Sequence, residues 1–156
     1  MNVFVDTSGF LSVLDAADRF HGRAQKAWES LLVPDVRLFT NNYVLVETLA
    51  IVQRKLGMGA VRVFEEDVLP VIGIDWVDEA AHKAGMSALL ASSGRKLSLV
   101  DCASFETMRK LGLRTAFSFD RHFREQGFEL VGGTARKIGT DQRRRNGNGE
   151  GSGLNI

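Results

Sequence analysis

Asn2-Val3-Phe4-Val5-Asp6-Thr7-Ser8-Gly9-Phe10-Leu11 is the stretch that decides the fold class. A short strand-forming run stops at a carboxylate, small polar residues turn the chain, and apolar residues resume at Phe10, Leu11, Val13 and Leu14 with helical spacing. The pattern predicts strand, tight turn, helix, and the rest of the chain repeats the alternation. Strand-like runs at 37–40, 71–77, 115–119 and 128–131 are separated by helical patterns at 19–33, 43–56, 60–69, 79–91 and 97–111 and by a helical turn at 121–125. Asn41-Asn42 and Asp78 suit helix starts, and Gly57, Pro70 and Gly112 suit helix ends. Short strands separated by helices predict an α/β fold with a short, mainly parallel sheet and helices on both faces. In such sheets ligands bind beyond the carboxyl ends of the strands, so strand-end residues are the ones to weigh.

The composition agrees with one folded domain. Of 156 residues, 44% are apolar and 25% charged, too apolar for general disorder and too short for a second sizeable core. No uninterrupted apolar run approaches the roughly 20 residues needed to span a bilayer, and Met1-Asn2-Val3 has no basic region leading an apolar stretch. A membrane or secretory role is therefore not expected. The single cysteine, Cys102, fits a reducing cytoplasm. The net charge of +1 conceals an asymmetry: residues 134–156 carry five bases against two acids, which leaves 15 bases against 17 acids in residues 1–133. The sequence thus divides into a slightly acidic folded part, 1–133, and a Gly- and Arg-rich tail, 134–156, expected to be flexible.

Four acids stand in unusual places. Asp6 and Asp120 each follow an apolar strand and so face the expected ligand crevice, although both also suit a helix N-cap. Asp101 shares a helical face with Leu97, Phe105 and Met108, and Glu47 shares one with Tyr43, Val44, Ala50 and Ile51. Carboxylates on apolar stripes are rarely buried without a partner. If the four converge, mutual repulsion calls for a counter-ion, and an oxygen-rich site suits Mg²⁺ or Mn²⁺ and hence phosphodiester chemistry. Zinc is disfavoured, because Cys102 is alone and His21, His82 and His122 show no ligand spacing.

These residues resemble a known family. Val5-Asp6-Thr7-Ser8, the Glu47 helix, Leu97-Ser98-Leu99-Val100-Asp101 and Phe117-Ser118-Phe119-Asp120-Arg121-His122-Phe123, in this order, resemble the PIN-domain ribonucleases and among them the VapC-type toxins. The resemblance implies a three-layer α/β/α sandwich and Mg²⁺- or Mn²⁺-dependent endonucleolytic cleavage of RNA to 5′-phosphate and 3′-hydroxyl ends. It also implies a homodimer and a small antitoxin partner. It makes Asp6, Glu47, Asp101 and Asp120 the catalytic, metal-binding quartet, with Thr7, Ser8 and Ser118 in support. Arg95, Lys96, Arg121, His122 and Arg124 are candidate RNA contacts from their places beside the Asp101 helix and Asp120. The aromatic residues Phe10, Trp28, Phe64, Phe105 and Phe119 read as core, and Arg143-Arg144-Arg145 as a solubilising tail or a weak phosphate contact. Alternatives are an RNA-processing nuclease unrelated to toxicity and a non-catalytic binding module on the same fold.

Overall fold

In the computed structural model, which describes residues 1–93 and 96–133, five short strands form one parallel sheet. The strands are β1 (Asn2–Val5), β2 (Arg37–Asn41), β3 (Ile72–Asp75), β4 (Thr115–Phe117) and β5 (Glu129–Val131), in the spatial order β3-β2-β1-β4-β5. Between them run α1 (Thr7–Leu14), α2 (His21–Leu31), α3 (Asn42–Leu56), α4 (Met58–Val63), α5 (Glu79–Ala91), α6 (Leu99–Lys110) and α7 (Arg121–Glu125). The chain steps from β1 to β2 to β3 toward one edge, then crosses back to β4 on the other side of β1. The sheet therefore reverses direction between β1 and β4, the place where an open parallel sheet forms a crevice.

The register explains why β1 is apolar throughout. Phe4 pairs with Phe39 of β2 and Ala116 of β4, and Val5 with Phe117, so the strand has neighbours on both edges. It is also covered on both faces, as Val3, Phe4 and Val5 are fully buried. On one face Phe4 meets Phe123 of α7, which packs edge-on against Phe105 of α6 at 5.1 Å. On the other, Phe117 meets Trp28 of α2, and Phe10 of α1 packs edge-on against Phe64 at 5.0 Å. These aromatic sets are the two interfaces of an α/β/α sandwich, and such pairs contribute about 0.5–1.5 kcal/mol each beyond area burial.

One glycine is required where α1 meets the sheet. A Cβ on Gly9 would lie 2.5 Å from the Phe117 carbonyl oxygen, so only glycine lets α1 start flush against the end of β4.

Several boundaries differ from the sequence reading. The helix expected over 60–69 is α4 followed by a π-helical turn, Phe64–Val68, and a 3-10 turn, Leu69–Val71. Phe64 and Val68 are buried in this turn while Glu65, Glu66 and Asp67 stay in solvent. The strand expected over 71–77 is Ile72–Asp75, and the one over 115–119 ends at Phe117, where Ser118 turns the chain. The helix expected from Leu97 begins at Leu99, because the Ser98 hydroxyl caps it. Residues 134–156 lie outside the described residues, as does Arg95.

Candidate active site

Asp6 occupies the first position beyond β1, and its backbone N–H donates to the Phe117 carbonyl of β4 at 3.2 Å. The carboxylate is 5% exposed. Its Oδ2 accepts from the Ser8 hydroxyl (2.8 Å), the Ser118 hydroxyl (3.1 Å) and the Ser8 backbone N–H (3.2 Å). The two serine oxygens in turn accept from the backbone N–H groups of Phe119 (2.9 Å) and Asp120 (3.0 Å). Each hydroxyl thus donates to Asp6 and accepts from the β4–α7 loop, lashing that loop, and Asp120 with it, to the end of β1. Burial pushes the Asp6 carboxyl up to about 6, against the pull of the Ser8 donors and with the nearby Asp101 charge adding to the rise.

Asp101 comes from the opposite direction, on the first turn of α6. Its backbone N–H donates to the Ser98 hydroxyl (3.1 Å) and its Oδ2 accepts from the Ser98 N–H (2.8 Å), a reciprocal capping box. Asp101 is half-buried at the helix mouth, one turn before Phe105 and two before Met108 on the apolar face expected, and the capping box adds a local reason for its placement. Asp120 caps α7 by accepting from the His122 N–H at 2.9 Å. Capping and site-building are therefore not alternatives: Asp6, Asp101 and Asp120 each hold a helix N-terminus, whose positive end favours a carboxylate.

The ligand-capable atoms of Asp101, Asp120 and His122 lie within 4.8 Å of one another, close enough to share one cation. His122 joins this group unannounced by the sequence pattern. It is half-buried, with Nδ1 2.9 Å from Asp120 Oδ1 but off the line of a hydrogen bond. Thr7 is buried and its hydroxyl also has no hydrogen-bond partner among the described residues. Asp6 is outside the three-residue group yet near enough for Asp101 to act on it. Glu47 is half-buried on α3, which packs on both α1 and α6, and it too is outside the group. Asn41 fixes this helix: its Oδ1 accepts from the Val44 N–H (2.9 Å) and its Nδ2 donates to Thr107 of α6 (3.1 Å).

Hard carboxylate oxygens with one imidazole, around a buried acid that repels its neighbour, fit a divalent cation such as Mg²⁺ or Mn²⁺. Among the candidate RNA contacts, Arg121 is exposed and pairs with Glu125 at 3.5 Å, Lys96 is exposed, and Arg124 lines a small hollow with Phe20, Arg23 and Phe119. Phe10, Phe64 and Phe105 are buried as expected, whereas Trp28 and Phe119 are half-buried at the margin of the core. Cys102 is buried, and burial pushes its thiol up, with Asp101 adding to the shift.

Residues 3–129 match the PIN domain family model. The chain belongs to the PIN domain family. This PIN domain is 34% identical over 130 residues to the 23S rRNA-specific endonuclease VapC20 of Mycobacterium tuberculosis, a match covering 83% of this chain and 97% of that protein. It superposes on the crystal structure of VapC20, described as a sarcin–ricin loop cleaving toxin, with a TM-score of 0.70 and 31% identity over 81% of this chain and 95% of the other. The FitAcB structure from Neisseria gonorrhoeae shares the fold, with a TM-score of 0.63 and 21% identity over 84% of this chain and 96% of its own. Among the described residues no helix is long and apolar enough to cross a membrane.

Proposed function

We propose that this PIN domain is a divalent-cation-dependent endoribonuclease and the toxin of a toxin–antitoxin pair, active in the cytoplasm. The observation that carries the reading is the gathering of Asp6, Asp101 and Asp120 at the reversal point between β1 and β4, with a buried Asp6 carboxyl raised to about 6. Four acids would hold the cation: Asp6 and Asp101 as its principal ligands, with Glu47 and Asp120 completing the site directly or through metal-bound water. A bound Mg²⁺ or Mn²⁺ supplies a Lewis acid that lowers the pKa of water and offsets charge developing on the phosphate. The chain's own contribution is to hold the carboxylates in place. Ser8 and Ser118 fix Asp6, the capping box fixes Asp101, and the His122 N–H fixes Asp120.

RNA as substrate is supported by the identity to VapC20, and 23S rRNA is the first substrate to test. The same relative is a toxin, which supports that role here, and the proposal includes with it a small antitoxin partner and a homodimeric state. The deciding experiment incubates purified protein with total cellular RNA and with ribosomes in Mg²⁺, Mn²⁺ or EDTA and maps the fragment ends. Cleavage in either cation and none in EDTA, with 5′-phosphate and 3′-hydroxyl ends, is the expected result. Cleavage that survives EDTA, or none under any ion, contradicts the reading. Light scattering of the purified protein tests the dimer, and co-expression with a small neighbouring reading frame tests the antitoxin through relief of growth arrest.

A further inference from the structure

Beside the carboxylates lies a feature of opposite character. Phe20, at the start of α2, and Phe119, in the β4–α7 loop, stack face to face with ring centroids 4.7 Å apart and planes 9° from parallel. The Arg19 guanidinium lies 4.4 Å above the Phe20 ring centre. Arg23 lies 5.2 Å from Phe20 and 5.7 Å from Phe119, and its Nη2 donates to the Gly132 carbonyl at 2.9 Å. The loop that carries Arg19 is pinned by Asp18, whose Oδ1 accepts from the Phe20 N–H at 2.7 Å and the Ser12 hydroxyl at 3.1 Å. Asp18, Arg19, Phe20 and Phe119 border an open cleft of about 500 Å³ that also reaches Ser8 and Asp120, the two ends of the candidate site's network, while Arg23 lines a smaller adjoining hollow that shares Phe20 and Phe119. That volume is within the range of small-molecule sites, about 300–1,000 Å³.

Three properties identify the occupant. Arg19 and Arg23 are exposed and form no ion pair with a carboxylate among the described residues, although acids stand close by. A guanidinium mounted on a ring keeps donors along its edge for an anion, in the geometry that suits phosphate. Phe20 is covered by Phe119 on one face and by Arg19 on the other, so the surface offered to an unstacked base is the Arg19 guanidinium plane laid on the ring, a mode of single-strand recognition that a duplex, with its bases stacked inside, does not satisfy.

We propose that this cleft binds an unpaired nucleotide adjoining the scissile phosphate, its base on the plane of the Arg19 guanidinium and its backbone phosphate on the edge of that group. The proposal deepens the ribonuclease reading and rests on it for the scissile bond. It makes Arg19, and Phe20 beneath it, determinants of binding.

The test measures fluorescence anisotropy of a 12-nucleotide labelled single-stranded RNA, and of its blunt duplex, with full-length protein carrying Asp101→Asn to prevent cleavage. Arg19→Ala, Arg19→Lys, Phe20→Leu and Lys83→Ala are added in turn. Arg19→Ala is expected to weaken single-strand binding about 10-fold and to reduce the salt slope by about one. Arg19→Lys should restore the slope but only part of the affinity, because a lysine does not stack flat. Phe20→Leu should weaken binding about 5-fold or more with the melting curve retained, because it removes the ring on which the Arg19 guanidinium lies. Lys83→Ala, on α5, should bind like the parent. Unchanged affinity in Arg19→Ala and Phe20→Leu overturns the proposal, as does a duplex bound more tightly than the single strand. The two readings separate in cleavage assays with Asp101 restored. Arg19-dependent binding without cleavage in any cation sinks the ribonuclease reading alone. Cleavage with Arg19-independent binding sinks the cleft alone.

Discussion

Asp6 and Asp78 do the same local job in two parts of the sheet. Each follows a parallel strand and caps the next helix, Asp6 by accepting from the Ser8 N–H at 3.2 Å and Asp78 by accepting from the Ala81 N–H at 2.8 Å. Their surroundings differ. Asp78 follows edge strand β3 and is exposed, and the carboxylate of Asp75 at that strand's end is countered by Lys110 at 2.9 Å. Asp6 follows β1 in the middle of the sheet, is buried, and has another acid, Asp101, as its electrostatic neighbour. The edge site is built for stability. At the reversal point the same capping geometry is loaded with like charge, Asp101 beside Asp6, and it is on that charge that the proposed cation site rests.

The largest difference should appear in catalysis. Asp101→Asn and Asp6→Asn are expected to reduce RNA cleavage by about 10³-fold or more, equivalent to about 4 kcal/mol in the barrier. Asp78→Ala should leave the rate unchanged. A nearly normal rate in Asp101→Asn would erase the distinction.

Stability should move in the opposite sense. The Asp6 carboxyl is raised from 3.8 to about 6, so the folded state holds a proton that the unfolded state has released between those values. Wild-type stability therefore falls as pH rises from about 4 to 6, and the cost of up to about 3 kcal/mol persists above 6. In EDTA at pH 7.5, Asp6→Asn should be more stable than wild type by about 1–3 kcal/mol, with the gain gone below about pH 4, as measured by denaturant melts. A loss of stability at pH 7.5 would show that the buried charge is already balanced.

Smaller effects separate the parts further. Ser118→Ala removes a fully buried hydroxyl that joins Asp6 to the Asp120 N–H, and should cost about 1–2 kcal/mol in a melt and reduce cleavage about 10-fold. Asp78→Ala should cost about 1 kcal/mol, the ordinary value of a lost cap, with activity intact.

Much of this contrast is legible in the linear sequence. Asp6 and Asp120 are readable because the strands before them are short apolar runs with clear ends, and the sheet order turns strand ends into neighbours. Asp101 is readable as an unusual acid, but its true setting depends on Ser98: a Ser-x-x-Asp pattern marks a capping box and starts the helix two residues later than the apolar run suggests. His122 is readable as a neighbour of Asp120, but its place beside Asp101 is not, because that proximity is made by tertiary contact and not by spacing. The π-helical turn at Phe64 is also hidden, since it departs from the period on which helix reading relies. Arg19, Phe20 and Arg23 carry no pattern, and their cleft exists only because the turn before α2 packs on the β4–α7 loop.

The central claim, that the acids at the reversal point form a cation site completed by Asp6, is tested most directly by calorimetric titration of Mn²⁺ into wild-type protein and Asp6→Asn across pH 5 to 8. The account predicts saturable binding to wild type with proton release near pH 6, affinity that falls about 10-fold per pH unit below about 6, and loss of binding in Asp6→Asn. Equal affinity in the two proteins, or affinity indifferent to pH over this range, would contradict it.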